Sequence, residues 1–496
     1  MRRGCGVLLP ISSLPSPHGV GDLGPEAYRF VDFLRESGQC LWQILPIGPT
    51  DPALDNSPYH SPSAFAGNPA FISLELLVEE GFLDRKDLEG IVPFGEGWAD
   101  YERAMALRER LLDRAWAAFR GSRSWQWEAF LEENAHWLWD YCAFKALKAH
   151  FGGSPWYRWP EPFRSHHPGV IEWARENLGE YLEKEAFLQF LFFKQWKALK
   201  ARCEQRGILV VGDVPIYVPH DSADVWANQQ ISQLDDRGRP LAVAGVPPDY
   251  FSRRGQRWGN PLYRWEVLKE RRYDWWVRRI RHNLQLFDVL RIDHFRGFVA
   301  YWAIDPDCPD ARRGRWMEAP AEDFFGELER HFPRLPFIAE DLGVITADVR
   351  EVMARFGLPG MKVLLFAFGE DFPNSPYLPH NYPRNCVAYT GTHDNNTLLG
   401  WFLEEASAAE RERLFRYTGR RLEPEELPWE LIRILMASVA DVVIVPMQDL
   451  LGLGSWARMN RPSTSNGNWR WRLKPSQIDG DLPPRLREMA WTYGRL

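Results

Sequence analysis

Short apolar runs recur along the chain, and eight of them are near-continuous in Val, Ile and Leu rather than alternating with polar residues. Continuous apolar runs are typical of strands that are buried on both faces of a parallel sheet. The predicted strands are Gly6–Pro10, Cys40–Pro46, Ile208–Tyr217, Val289–His294, Phe337–Gly343, Lys362–Phe368, Val387–Thr390 and Val442–Asp449.

Helical patterns lie between these strands. Pro25–Ser37 carries its apolar residues on one face and is followed by Gly38, and Tyr273–Leu286 and Ala347–Arg355 show similar spacing. Strands that alternate with helices predict an α/β fold, and their number favours a (β/α)8 TIM barrel. A doubly wound open sheet is the structural alternative.

Two connections are too long for simple crossovers. Residues 81–206 are rich in Ala, Leu, Glu, Lys and Trp with helical periodicity, which predicts a helical insertion packed on the barrel. Residues 219–268 carry Gly, Pro and aromatics with weak periodicity, which predicts long loops over the C-terminal mouth of the barrel. The barrel itself would then comprise residues 1–80 and 207–496.

Composition narrows the class of protein. The net charge of −7 disfavours nucleic acid as a partner, and the absence of a long uncharged apolar stretch disfavours a membrane span. The six scattered cysteines and the absence of a signal-peptide pattern predict a cytoplasmic protein. The 24 tryptophans indicate either a large core or flat aromatic platforms for a ligand, and those within the insertion, Trp125 among them, are expected to pack against helices.

The sequence contains no motif that meets the structural requirements of a cofactor or metal site. Gly19–Gly24 matches a dinucleotide-binding pattern, but three prolines separate it from the preceding strand, so a glycine-rich turn explains it better. Cysteine and histidine spacing matches no zinc site, and no calcium loop is visible. We expect neither a cofactor nor a metal.

Acidic residues stand at three of the predicted strand ends, where a barrel carries its catalytic groups: Asp293, Glu340 and Asp394. Alternation along the strand places Arg291 on the same side as Asp293, where it would keep that carboxylate ionised, as a nucleophile requires. Glu340 follows apolar residues, and desolvation there would raise its pKa, as a general acid requires. Carboxylates from adjacent strands can approach the separation of ~5–5.5 Å found in retaining glycosidases.

Structural interpretations compete with this one. An acid at a strand end is usually a helix cap or is solvated, and Arg291 with Asp293 could be a structural ion pair. His294 and His393 could hydrogen-bond sugar hydroxyls or serve the structure alone. Three acids at three strand ends favour the catalytic interpretation.

Seven segments then resemble a known family. VLRIDHFRGF, AEDLG and YTGTHDNNT resemble three conserved regions of the α-amylase clan, and GDVPIYV resembles the remaining region as it occurs in amylomaltases, the bacterial 4-α-glucanotransferases. NSPYHSPSAFAGNP, GVPPDYFSRRGQRWGNPLYRW and SWARMNRPSTSNGNWRWR are similar to amylomaltase segments specifically. Since the similarity covers nearly the whole chain, the sequence is identified as a member of that family.

The resemblance implies a barrel without a separate C-terminal β-domain, and a glycosyltransferase that moves α-1,4-glucan segments by double displacement. It implies Asp293 as nucleophile, Glu340 as acid/base and Asp394 as the third acid, which holds sugar hydroxyls. The residues expected to contact glucan, or to lie in its binding loops, are Arg291, His393, Asp249, Gln256, Trp258, Ser57, Tyr59, Tyr250, His294, Asn460 and Pro462. Maltooligosaccharides, amylose and glycogen-derived glucans are the expected partners, and we expect a monomer.

Two departures from the clan pattern bear on the reaction. Tyr217 and Val218 stand where the clan has an Asn-His pair, a loss shared with amylomaltases, and His60 stands where many members have Gln. Aromatic residues near Trp258 could shed water and favour transfer over hydrolysis. An α-1,4-glucan hydrolase remains the alternative function, and a non-catalytic glucan-binding protein is a second alternative.

Overall fold

Residues 2–121, 124–248 and 252–496 are described by the structure, which is a computed structural model. Their twelve strands are β1 Gly4–Leu8, β2 Leu41–Gln43, β3 Leu209–Val214, β4 Val243–Val246, β5 Gln256–Pro261, β6 Val289–Ile292, β7 Ala300–Ile304, β8 Gly314–Glu318, β9 Phe337–Ala339, β10 Gly360–Val363, β11 Cys386–Tyr389 and β12 Val442–Pro446. Each of the eight predicted strands overlaps one of these strands. The bounds differ most at β10, since Leu364–Phe366 of the predicted strand Lys362–Phe368 form a 3-10 helix.

Those eight strands close into a parallel barrel in the order β1, β2, β3, β6, β9, β10, β11, β12, with β12 pairing back onto β1. The closed barrel confirms the predicted fold and excludes the doubly wound open sheet. Side chains at the seam hold both chain ends, because Arg495 donates from Nη1 to the carbonyl oxygens of Gly4 and Ala440 at 3.1 and 3.0 Å.

Helices separate the strands and cover the barrel. The α-helices of the described residues are α1 Pro25–Glu36, α2 Leu74–Glu79, α3 Tyr101–Phe119, α4 Trp125–Asn134, α5 Leu138–His150, α6 Val170–Arg206, α7 Ala223–Ala227, α8 Trp265–Glu270, α9 Asp274–Leu286, α10 Ala321–His331, α11 Ala347–Arg355, α12 Leu398–Gly400, α13 Ala408–Thr418, α14 Leu427–Ala437, α15 Met447–Leu450 and α16 Leu482–Thr492. None of them is long and apolar enough to cross a membrane.

The helices α3 to α6 lie between Tyr101 and Arg206, within the residues 81–206 where the sequence predicts helices, and residues 81–100 contain no α-helix. The last of them bends at Leu178 and then runs directly to the start of β3. Its final turns lie on α1, because Arg202 and Arg206 both form ion pairs with Asp32 at 2.8 and 2.7 Å. Trp125 is a correction to the expected packing of this region, since it is 79% exposed at the start of α4.

The structure contains a second sheet beside the barrel, which was not predicted from the sequence. Its strands are antiparallel in the order β5, β4, β7, β8. Two of them, β4 and β5, lie within residues 219–268, where loops were predicted, and the other two follow β6. Through this sheet, Trp258 on β5 contacts His294, which follows the end of β6.

Candidate active site

The ends of β6 and β9 present Asp293 and Glu340 side by side. Ile292 is in register with Ala339, so the next residue of each strand leaves the barrel at the same level. The backbone secures this arrangement, because the amide of Glu340 donates to the carbonyl of Ile292 at 3.1 Å and the amide of Asp293 donates to the carbonyl of Val214 at 3.1 Å. The predicted neighbouring positions of these two acids are therefore present in the structure.

One buried arginine serves two carboxylates at this level. Arg291 Nη1 lies 2.8 Å from Asp213 Oδ2 and 2.8 Å from Asp293 Oδ1. Asp213 is fully buried, whereas Asp293 is 28% exposed toward the mouth. Burial would lower the pKa of Arg291, but the two carboxylates raise it well above its ordinary value, so the guanidinium stays charged.

Asp213 is a site residue that the sequence analysis did not single out. It is in register with Arg291 on the neighbouring strand, and its second partner is Tyr59, whose hydroxyl donates to Asp213 Oδ2 at 2.7 Å. Burial raises the pKa of Asp213, and Arg291 opposes that rise. Its position within the GDVPIYV segment was the only available signal.

Glu340 is held by backbone amides rather than by a cation of its own. His294 donates to Oε2 at 2.8 Å and Leu342 donates to Oε1 at 3.1 Å. Burial raises the pKa of Glu340 to about 8, and the charge of Asp293 adds to the rise, while Arg291 and the two amides oppose it. Glu340 therefore carries a proton at neutral pH, in the direction predicted from its apolar surroundings.

The backbone of His294 explains how its amide reaches Glu340. Its φ of 49° lies in the left-handed region, directly after β6. Burial lowers the pKa of the His294 imidazole to about 4, so the ring is neutral at neutral pH.

Asp394 lies at the open side of the mouth with 46% of its side chain exposed. Asn460 Nδ2 donates to its Oδ1 at 2.6 Å, and His393 Nε2 lies 3.4 Å from its Oδ2. The enclosing protein atoms would raise the pKa of Asp394, but the His393 imidazole and the Asn460 amide hold it well below its usual range. The third acid is thus an anion at neutral pH.

Aromatic rings line two sides of the mouth. The Tyr59 ring stacks on His393 with centroids 5.1 Å apart, and Trp469 lies 5.9 Å from both rings. On the other side, Trp258 meets His294 edge-on at 4.8 Å, and its indole donates to Gln256 Oε1 at 3.2 Å. Trp469 was not singled out from the sequence, although it lies in the SWARMNRPSTSNGNWRWR segment.

The remaining predicted binding residues are dispersed. Ser57 is buried, with its hydroxyl 3.3 Å from His60 Nδ1. Pro462 lies two residues beyond Asn460 on the exposed segment 461–467. Asp249 and Tyr250 lie outside the described residues.

One group of side chains outside the mouth has the spacing of metal ligands. Ligand atoms of His18, Asp22 and Glu75 lie within 4.8 Å of one another. Arg108, however, forms an ion pair with Asp22 at 3.1 Å, and Ser16 donates to the same oxygen at 2.8 Å. The carboxylate is therefore committed to a buried ion-pair network.

Comparisons with known proteins agree with this geometry. The family model described as 4-alpha-glucanotransferase matches residues 9–478. The chain is 48% identical to the 4-alpha-glucanotransferase of Thermus thermophilus over 100% of this chain and 99% of that protein. It is 47% identical to the 4-alpha-glucanotransferase of Aquifex aeolicus, with 99% of each chain covered.

A solved structure is similar over its whole length. It is the amylomaltase from Streptococcus agalactiae in complex with acarbose, with a TM-score of 0.95 and 39% sequence identity, and the match covers 100% of both chains. The fold of this chain is thus shared with a protein that was solved in complex with acarbose.

Proposed function

Because this chain belongs to the 4-alpha-glucanotransferase family and is a glycosyltransferase that transfers glucan segments, we propose that it does so by a retaining double displacement at Asp293. The observation that carries this proposal is the pair of acids on adjacent strands, one ion-paired with Arg291 and the other with its pKa raised to about 8. Retaining glycosidic chemistry requires one ionised and one protonated carboxyl group. The family does not favour the hydrolase alternative.

In the first step, an oxygen of Asp293 attacks the anomeric carbon of the donor glucan and forms a glycosyl ester. The glycosidic bond breaks with its electron pair on the leaving oxygen, and Glu340 transfers its proton to that oxygen. The departing sugar therefore leaves as a neutral alcohol, and Glu340 becomes a carboxylate.

In the second step, the 4-hydroxyl of an acceptor glucose or maltodextrin enters the same place. Glu340 takes the hydroxyl proton, the acceptor oxygen attacks the anomeric carbon, and Asp293 leaves as the carboxylate. When the acceptor is the far end of the same glucan, this step yields a cyclic glucan. Both steps together restore the protonation state of each acid.

Asp394 supplies a fixed negative charge in this scheme. We assign it to sugar hydroxyls, which would donate to its carboxylate, and to the positive charge that develops on the anomeric carbon. His393 and Asn460 hold the carboxylate in place through the contacts described above. The proposed glucan contacts are completed by Arg291, Asp249, Gln256, Trp258, Ser57, Tyr59, Tyr250, His294 and Pro462.

Preference for transfer over hydrolysis needs an acceptor that displaces water. The rings of Tyr59 and Trp258 lie on two sides of the acids and offer apolar faces for glucose rings. Maltooligosaccharides and longer α-1,4-glucans are the proposed substrates, since the similar Streptococcus agalactiae protein was solved with acarbose. We further propose a cytoplasmic monomer with residues 81–206 as an insertion on the barrel.

Product analysis with maltotriose tests the proposal. Transfer converts maltotriose into glucose and longer maltodextrins without a matching rise in reducing ends, because each bond broken is replaced by a bond formed. Asp293→Ala is the matched control and is expected to form no products. A rise in reducing ends equal to all product formed would instead identify a hydrolase, and binding of maltotriose without turnover would identify a glucan-binding protein.

A further inference from the structure

Exposed tryptophans are few among the described residues, and one of them lies at the barrel mouth. The exposed tryptophans of the described ranges are Trp98, Trp125, Trp316, Trp456 and Trp491. Trp456 is 59% exposed and belongs to the connection that follows β12. Because connections after barrel strands emerge at the C-terminal face, this indole shares the face that carries the three acids.

The segment that carries Trp456 is tied directly to the acid cluster. Ser455 Oγ accepts from Asn396 Nδ2 at 3.0 Å. Arg458 Nη2 donates to the backbone carbonyl of Asp394 at 2.7 Å. Both ends of the turn that carries the indole are therefore hydrogen-bonded either to Asp394 or to Asn396, two residues after it.

Close packing beneath this turn restricts its movement. A Cβ placed on Gly400 would lie 2.5 Å from Ser455 Oγ, so the end of α12 packs against the turn without room for a side chain. The turn itself is closed by a bond from the amide of Arg458 to the carbonyl of Ser455 at 3.1 Å. A rigid support of this kind lowers the entropic cost of stacking a ligand on the indole.

A charged pair belongs to the same turn, because Arg458 lies two residues after Trp456. Arg458 Nη1 and Glu405 Oε1 form an ion pair at 3.0 Å, and the Glu405 side chain is 45% exposed. A flat apolar face next to hydrogen-bonding groups matches a glucose ring, whose C–H faces are apolar and whose edge carries hydroxyls. Trp316 differs, because the Arg296 guanidinium covers its ring at 4.2 Å.

We propose that Trp456 is an outer stacking platform for α-1,4-glucan, with the Arg458–Glu405 pair bonding the hydroxyls of the same glucose unit. The inference rests on the proposed function, because it concerns chain units beyond those next to the bond that is exchanged. Long glucans reach this platform, whereas maltotriose bound across the acids is too short to fill it as well. Trp456 is thus a specificity-determining residue for donor or acceptor length.

The test compares two substrates in the parent protein and two variants of Trp456. For the parent, Trp456→Ala and Trp456→Phe, kcat/KM is measured with short amylose and with maltotriose, and the ratio of the two values is the readout. The ratio is expected to fall about threefold to tenfold in Trp456→Ala, the range that one aromatic contact provides, mainly through KM for amylose. Trp456→Phe is expected to recover most of the ratio.

Trp491→Ala is the matched control, because it removes an indole that is 73% exposed at the end of α16. The carbonyl of nearby Tyr493 accepts a hydrogen bond from Arg3, the residue before β1. Because Arg3 lies at the N-terminal end of a barrel strand, Trp491 lies at the face of the barrel opposite the acids. Its ratio is expected to equal that of the parent. An unchanged ratio in Trp456→Ala, or an equal loss with both substrates, would overturn the inference. Failure of the proposed function is seen separately, since the parent itself would then release reducing ends from maltotriose.

Discussion

Two buried arginine–aspartate pairs of this chain differ in their surroundings: one is fully enclosed, and the other lies at the mouth of the barrel. Arg108 on α3 and Asp22, in the connection after β1, are at most 5% exposed and lie 3.1 Å apart. The Asp22 carboxylate also accepts from the Ser16 hydroxyl at 2.8 Å and the Gly24 amide at 3.0 Å. One carboxylate meets one guanidinium and two neutral donors there, so both of its oxygens are hydrogen-bonded.

Arg291 at the mouth is buried as deeply but meets two aspartates. Asp213 is enclosed with it, whereas Asp293 reaches toward the open side. One guanidinium therefore contacts two carboxyl groups at this site. Burial and ion pairing are common to both pairs. What differs is the second carboxylate, Asp293, which is accessible from the mouth and which we propose as the nucleophile.

Asp293→Asn is expected to have the largest effect, because a carboxamide cannot form the glycosyl ester. Transfer from maltotriose should fall by about 10^4-fold or more. Asp22→Asn, which alters the enclosed pair, is the control and should keep the parental turnover per folded molecule. Parental turnover in Asp293→Asn would remove the distinction between the two pairs.

Glu340→Gln is expected to slow transfer by about 10^2- to 10^4-fold, since the leaving oxygen then receives no proton. A maltosyl fluoride donor needs no proton on its leaving group, so formation of the glycosyl ester from it should be much less impaired. Rapid-quench measurement of the first turnover with each donor provides the check. An equal loss with both donors would contradict the acid role.

Asp22→Asn should act on stability instead. Removing one partner of a buried ion pair leaves the Arg108 charge uncompensated and costs about 3–5 kcal/mol. Urea unfolding followed by far-UV circular dichroism measures the change. A loss of less than 1 kcal/mol, about the value of an exposed pair, would show that Arg108 finds other acceptors.

The pH dependence of kcat/KM tests whether the carboxyl group of Glu340 at the mouth supplies the proton for the first step. Glu340 must be protonated for the first step, and its pKa is raised to about 8, so activity is present below that pH and lost as pH rises through it. We expect an alkaline limb near pH 8 with a slope of about tenfold per pH unit. The limb should be absent from the residual activity of Glu340→Gln.

Asn460→Ala is expected to have the smallest effect. It removes the 2.6 Å hydrogen bond to Asp394 but leaves His393 beside the carboxylate. A charge-assisted hydrogen bond at a half-exposed group predicts a loss of about tenfold in kcat/KM. Asn460→Asp, which places a like charge against Asp394, should cost more; equal effects of the two variants would show that the amide does not bond the acid.

The eight barrel strands were predictable because strands buried on both faces leave continuous apolar runs. The strands of the second sheet do not form continuous apolar runs. Its edge strand β8, with sequence GRWME, is largely exposed, and β5 contains Gly and Pro. Pairing of β4 with β7 joins residues far apart in sequence, as in Ala244 with Ala303, and no local pattern encodes that pairing.

The acids were likewise predictable from their place at strand ends, and the raised pKa of Glu340 from its apolar neighbours. Asp213 and Tyr59 illustrate what was missing. Asp213 lies one step before the end of β3, and its bonds to Arg291 and Tyr59 follow from strand order and register rather than from its own surroundings in the sequence. Trp469 reaches Tyr59 through a loop with φ of 60° at the tryptophan itself, which no periodicity indicates.

The seam between β1 and β12 has a consequence for how the protein is made. A ribosome releases Gly4–Leu8 long before Val442–Pro446, so one edge of β1 stays unpaired until the other barrel strands have been synthesised. An unpaired strand edge is a template for association with other chains, and contacts between distant segments form slowly. Closure of the barrel is therefore a late event in biosynthesis, and nascent chains halted before Val442 carry an open edge that the finished enzyme never displays.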